Sequence, residues 1–246
     1  QEANVEVLYN TTYSRTLVEQ KRVYGIIAEN ISGRFAVMAK MIVDCTGDGN
    51  VAANAGCSFE LGENGDYTAC QAMTLMFLVG NIPEKYRNGL MLYEKLGAAY
   101  EKAGKQIPFK VPYLIPVPHS HFGVVQFTHM YDYDPLCAKA LTEATMEGRA
   151  QIIDAFEFLK AYDEEFHDLE LITSSAMLGV RESRRIIGEY YMTLDDILNG
   201  SRFHDPVARV TFNVDFHTKA NKGQKCFNVK PYDIPMRALI PKGYDG

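Results

Sequence analysis

Met41-Ile-Val-Asp-Cys-Thr-Gly-Asp-Gly-Asn50 is the stretch on which the reading of this chain turns. Met41-Ile42-Val43 is a short apolar run of the kind that forms a buried strand, and two glycines follow it, three and five residues after Asp44. The small-residue run Val51-Ala-Ala-Asn-Ala-Gly56 comes next, so the expected order is strand, tight turn, helix. Glycine lets a backbone approach a ligand that a Cβ would block, which suits a phosphate or a ribityl chain. Asp48, between the glycines, can accept hydrogen bonds from sugar-like hydroxyls. The same bend is equally common without a ligand, and the spacing of a calcium loop is absent.

Upstream of this stretch, Val5 to Tyr9, Tyr13 to Val18, Val23 to Glu29 and Arg34 to Ala39 read as short strands of an antiparallel meander, with a turn at Ser32-Gly33. Downstream, Met73 to Val79 suits a central strand ended by Pro83, and Leu90 to Ala103 suits an amphipathic helix closed by Gly104. Prolines 108, 112, 116 and 118, with 135 after a gap, keep the following segment extended or looped, and a strand is expected from Gly123 to Met130. Asp134-Pro135 suits a helix start, and Leu141, Ala144, Gly148, Ile152, Ala155 and Leu159 then keep one apolar face. Arg185 to Met192 and Val207 to Phe216 read as strands. Thr193-Leu-Asp-Asp196 reads as a capping box opening a short helix.

Composition narrows the function classes. The chain has 246 residues, 47% of them hydrophobic, enough for a sizeable core, and its 25 basic and 31 acidic residues give a formal charge of −6. With no basic block, nucleic acid is not an expected partner. The apolar runs are too short to span a bilayer and the first residues show no secretory leader, which suits a soluble cytoplasmic chain, with homo-oligomer formation open. Cysteines 45, 57, 70, 137 and 226 form no C-x-x-C pair, and the six histidines form no zinc-binding pair, so reduced thiols and no metal are expected. No G-x-S-x-G elbow supports serine hydrolase chemistry.

Residues 39–56, Ala39-Lys-Met-Ile-Val-Asp-Cys-Thr-Gly-Asp-Gly-Asn-Val-Ala-Ala-Asn-Ala-Gly56, resemble a segment of bacterial FAD-dependent oxidoreductases related to the glutathione-reductase and fumarate-reductase flavoproteins. Leu178-Gly-Val-Arg-Glu-Ser-Arg-Arg-Ile-Ile-Gly188, Asp215-Phe-His217 and Asp233-Ile-Pro-Met-Arg-Ala-Leu-Ile-Pro241 resemble later blocks of that family, in the same order. The resemblance implies an α/β (α+β) fold: a Rossmann-like FAD part with a β-meander over 1–62, a mixed sheet-and-helix substrate or cap domain over 63–232, and a return toward the FAD part over 233–246. It also implies an amino-terminal G-x-G-x-x-G turn and a carboxy-terminal flavin-covering segment. Neither has a counterpart between 1 and 246, so the chain reads as an internal portion whose FAD site is incomplete.

By the same resemblance, Cys45, Thr46, Gly47, Asp48 and Gly49 contact FAD, while Cys45 and Cys57 as thiols suit packing better than redox work. Arginine can grip a carboxylate or balance a reduced flavin, and His217 can move a proton, so Arg181, Arg184 and His217 are the catalytic candidates. In a strand, Arg181 and Arg185 would share one face and Arg184 the other. A structural ion pair with Glu182, or a merely hydrogen-bonded histidine, is the plainer account of each. The function implied is hydride transfer between a small organic substrate and FAD. The alternatives are a non-catalytic ligand- or partner-binding domain that holds no FAD, and a transferase on the same fold.

Overall fold

The computed structural model describes residues 5–220 and 222–246. In chain order its elements are β1 (Thr12–Glu19), β2 (Arg22–Asn30), β3 (Gly33–Met38), α1 (Asn50–Ala55), β4 (Phe59–Leu61), β5 (Phe77–Gly80), β6 (Leu90–Met91) and α2 (Tyr93–Lys102). There follow β7 (Tyr113–Pro116), β8 (Gly123–Gln126), α3 (Ala138–Tyr162), β9 (Glu170–Ser174), β10 (Arg184–Ile186), α4 (Leu194–Asn199), β11 (Pro206–Val210), β12 (Val214–Thr218), β13 (Gly223–Phe227) and β14 (Tyr232–Pro235). Helices and strands mix as an α/β or α+β fold requires. The chain divides into two units, one of Gln1–Glu60, Arg184–Phe212 and Asn228–Gly246, the other of Leu61–Ser183 and Asn213–Phe227.

In the first unit β1, β2 and β3 form the antiparallel meander, with Thr16 opposite Ile26 and Ala28 opposite Phe35. The Thr16 hydroxyl, buried in that sheet, donates to the Val51 carbonyl at 2.8 Å and fixes α1 against β1. Val23, Ala52, Ala55 and Cys57 make a small core there, with Ile42, Ile186 and Tyr244 packed on it. β11 pairs antiparallel with β14, and Asp233 is buried between Arg202 at 2.6 Å and Arg209 at 3.2 Å. Thr193 and Asp196 form the expected capping box of α4.

Two expected strands are missing from this unit. Met41-Ile42-Val43 is irregular, with Met41 69% and Val43 81% exposed, and 5–9 is likewise irregular and exposed. β-branched and apolar side chains favour a strand only where a neighbouring strand takes up the backbone hydrogen bonds, and among the described residues neither run has one. Arg185 to Met192 is not one strand either: β10 pairs with β4 only over Arg184–Ile186, and the chain then turns to residues 237–242 through an isolated bridge from Gly188 to Pro241. Arg181 therefore lies outside any strand and does not share a strand face with Arg185.

The second unit is an antiparallel sheet in the order β6-β7-β8-β5-β9. Phe77, Val79, Leu114, Val125 and Phe127 meet Ala144, Ile152, Ala155 and Leu159 of α3 and Leu96 and Tyr100 of α2 in one core. Burying each Leu or Ile contributes about 1.5–3 kcal/mol. Gly148 lets α3 approach closely, since a Cβ there would meet Met130 at 3.0 Å. α3 starts at Ala138 rather than at Pro135, because the Asp134 carboxylate first accepts from the Leu136 amide and holds a separate turn. Val207 to Phe216 is not one strand. The chain leaves the first unit between β11 and β12, and β12 forms a hairpin with β13 in the second, His217 opposite Gln224.

Candidate functional site

In the first unit the turn from Asp44 to Asn50 is held by its own side chains. The Asp44 carboxylate accepts from the Thr46 amide at 3.0 Å, the Thr46 hydroxyl at 2.7 Å and the Ala52 amide at 3.1 Å. Thr46 in turn accepts from the Asn50 amide at 2.8 Å. Burial pushes the Asp44 carboxyl up, but these hydrogen bonds outweigh it and hold it below the usual carboxylate range. Asp44 and Thr46 are thus committed to the shape of the turn. Gly47 (φ +84) and Gly49 (φ +62) both sit in the left-handed region. A Cβ at Gly49 would strike Ile186 at 2.9 Å, whereas one at Gly47 would enter open space, and Cys45 is exposed. Gly49 is needed by the fold. Gly47 leaves room for something else.

Arg184 belongs to this turn. One guanidinium nitrogen donates to the Asp48 carbonyl at 3.1 Å and to the Asn50 side chain at 2.9 Å, its carbon lies 5.4 Å from the Phe59 ring centre, and its buried Nε has no partner. Arg185 reaches Glu60 at 3.6 Å. Behind the turn a cavity of about 400 Å³ is walled by Val23, Ile42, Val51, Ala52, Leu239 and Tyr244, with Asp44 at its edge. The wall is almost wholly apolar, apart from Asp44 and Asp245.

The other two catalytic candidates meet in the second unit, around a histidine that the sequence did not single out. His129 is 1% exposed, at the end of the β8 segment. Its ring stacks on Phe109 with centroids 3.8 Å apart, and Gln151 of α3 accepts from its amide at 2.9 Å and donates to its carbonyl at 3.1 Å. His129 Nδ1 lies 3.2 Å from the Phe127 carbonyl, and its Nε2 lies 2.8 Å from His217 Nδ1. His217 is 4% exposed; Gln71 accepts from its amide at 3.0 Å, while the Gln71 amide donates to Glu182 at 3.1 Å.

Two buried nitrogens of this cluster have no partner among the described residues, His217 Nε2 and Arg181 Nε. Desolvation lowers His129 to about 3, with His217 and Arg181 adding to the effect, so His129 is neutral. Desolvation also lowers His217, the Arg181 charge works the same way, and Asp215 opposes them. Arg181 itself is held below its ordinary value by burial, against the pull of Asp215. Buried polar atoms normally find partners, so these two, one of them on the Arg181 cation itself, are the exceptions in the cluster that call for an explanation. Neither the 88-residue separation of the two histidines nor their motifs announces the pair. The one sequence signal is that Phe127 and His129 would share a face of the expected Gly123–Met130 strand, as any core histidine could, whereas β8 itself ends at Gln126.

No group of three or more metal-ligating side chains occurs among the described residues, and no helix is long and apolar enough to cross a membrane. Comparison with curated proteins and with solved structures finds no match. The family model described as FAD dependent oxidoreductase matches residues 1–246, and the chain belongs to that family.

Proposed function

We propose that the chain transfers a hydride between a small organic substrate and FAD, with Arg181 and His217 acting on the substrate and Cys45 to Gly49 contacting the cofactor. FAD is the cofactor of the family, and when bound it supplies a two-electron acceptor. The observation that carries the substrate assignment is the pair of unpartnered buried nitrogens, His217 Nε2 and Arg181 Nε. A buried guanidinium favours an anionic oxygen, and an imidazole beside it can take or give a proton.

The residues of the first unit fit parts of FAD by their chemistry. The open space beside Gly47 admits a phosphate or ribityl group against bare backbone, and the apolar cavity wall suits a flat ring. Arg184, tied to Asp48 and Asn50, keeps the turn in shape and belongs with the cofactor contacts rather than with Arg181. Its role is thus distinct from that of the arginine three residues before it.

The test is anaerobic: the protein is incubated with FAD, freed of excess, and mixed with small hydroxy acids while the flavin absorption is followed. Bleaching by one of them, slowed in both His217→Gln and Arg181→Lys, supports the reading. A protein that retains no flavin supports the non-catalytic alternative, and bleaching equally fast in both variants would falsify the residue assignment.

A further inference from the structure

The hydrogen-bond chain in the second unit fixes which nitrogen of His217 carries a proton. A carbonyl oxygen only accepts, so His129 Nδ1 donates to Phe127. Neutral His129 then has a bare Nε2, and at 2.8 Å that atom must accept from His217 Nδ1. Neutral His217 is left with its proton on Nδ1 and a lone pair on Nε2, the buried atom without a partner. His129 is itself immobile, clamped through both backbone groups by Gln151 and stacked on Phe109.

We infer that His129 is a positioning residue that sets the His217 tautomer, so that His217 Nε2 is the proton acceptor in the oxidation of a small carbinol whose neighbouring anionic oxygen is held by Arg181. This rests on the substrate-side reading above and deepens it. In the step the substrate O–H bond breaks and its proton bonds to His217 Nε2, giving an imidazolium. The O–H electron pair would become the second C–O bond as the C–H bond breaks and its electron pair leaves as hydride, for which the family's FAD, when bound, would supply a two-electron acceptor. His129 Nε2 continues to accept from the imidazolium Nδ1–H and stabilises the new charge, as an orienting partner of a catalytic histidine does. Arg181 stands close enough to disfavour that imidazolium, and Asp215 opposes it, so the acceptor is poised below the ordinary histidine range.

Nitrogen-15 NMR of the FAD-loaded protein reads the tautomer directly. The expected result is a protonated Nδ1 and a bare Nε2 on His217; a protonated Nε2 at neutral pH overturns the inference whatever the activity. Removing the acceptor with His129→Phe should mix the two tautomers and lower kcat roughly tenfold at near-constant KM, by weakening general-base catalysis. The low-pH limb of kcat should move to lower pH. His129→Gln, whose side-chain oxygen can accept from His217 Nδ1, should restore the tautomer and most of kcat. If His129→Phe fails to fold, the wild-type spectrum and the Gln variant still decide. A bare Nε2 combined with flavin reduction insensitive to His217→Gln would instead overturn the underlying site reading. Reduction of the flavin by no carbinol, with reduced flavin spent only on alkenes or imines, would reject the substrate class.

Discussion

Asp44 offers the sharpest quantitative test of how the turn from Asp44 to Asn50 is built. Its two carboxylate oxygens accept three hydrogen bonds, two from Thr46 on one oxygen and one from the Ala52 amide on the other. In Asp44→Asn the amide oxygen can serve only one side, and turned toward Thr46 it sets its NH₂ against the Ala52 N–H. One charge-assisted bond is lost at about 1.5 kcal/mol, the low end for a half-buried carboxylate, and the other two are weakened to neutral strength, for a total of about 2–3 kcal/mol. For a unit of this size that should lower its thermal transition by roughly 9–13 °C. The depressed carboxyl also gives the sign with pH: its contribution is complete above the unfolded value of 3.8 and lost as pH falls through the lower folded value. The wild-type advantage, followed by calorimetry, should therefore be constant from neutral pH down to about 5 and close only below about 4. A variant within ~0.5 kcal/mol of wild type, the range of an ordinary surface change, or a gap that closes near neutrality, would refute this account of the turn.

The two glycines of the turn should separate fold from cofactor. Gly49→Ala puts a Cβ 2.9 Å from Ile186 at a φ of +62, so it should destabilise the unit by about 1–3 kcal/mol, partly recovered by Ile186→Ala. Gly47→Ala, with open space around its Cβ, should cost only the left-handed strain of about 1 kcal/mol yet weaken FAD retention; equal retention would mean that nothing approaches Gly47. The buried histidines should make the second unit acid-sensitive. With His129 lowered to about 3, stability is full above about 6.5 and declines below it by roughly 1.4 kcal/mol per pH unit for that group. Urea midpoints between pH 7 and 5 should show this slope, and His129→Phe should remove it.

Features whose cause is local were legible in the sequence. The apolar period of α3, the α4 capping box and the meander turns each depend on residues within a few positions of one another, and each is present. Met41 to Val43 has the composition of a buried strand, but a strand is completed by a partner, and partner identity is not encoded in the run itself. The histidine pair is invisible for the same reason: His129 Nε2 and His217 Nδ1 meet only after the β12–β13 hairpin is placed beside the β8 segment.

The arginine block makes the point most sharply. Arg181 and Arg184 stand three residues apart and read as one cluster, yet the chain passes from one unit to the other between Ser183 and Arg184. Arg181 thereby joins the histidines, where its charge helps keep them neutral, and Arg184 joins the Asp48–Asn50 turn, where it is spent on backbone and amide oxygens. One short motif so supplies a cation to each unit, and a substitution at each should have a different signature. Arg181→Lys should change flavin reduction by substrate, Arg184→Lys should change flavin retention, and an exchange of those two signatures would show that the motif is divided the other way.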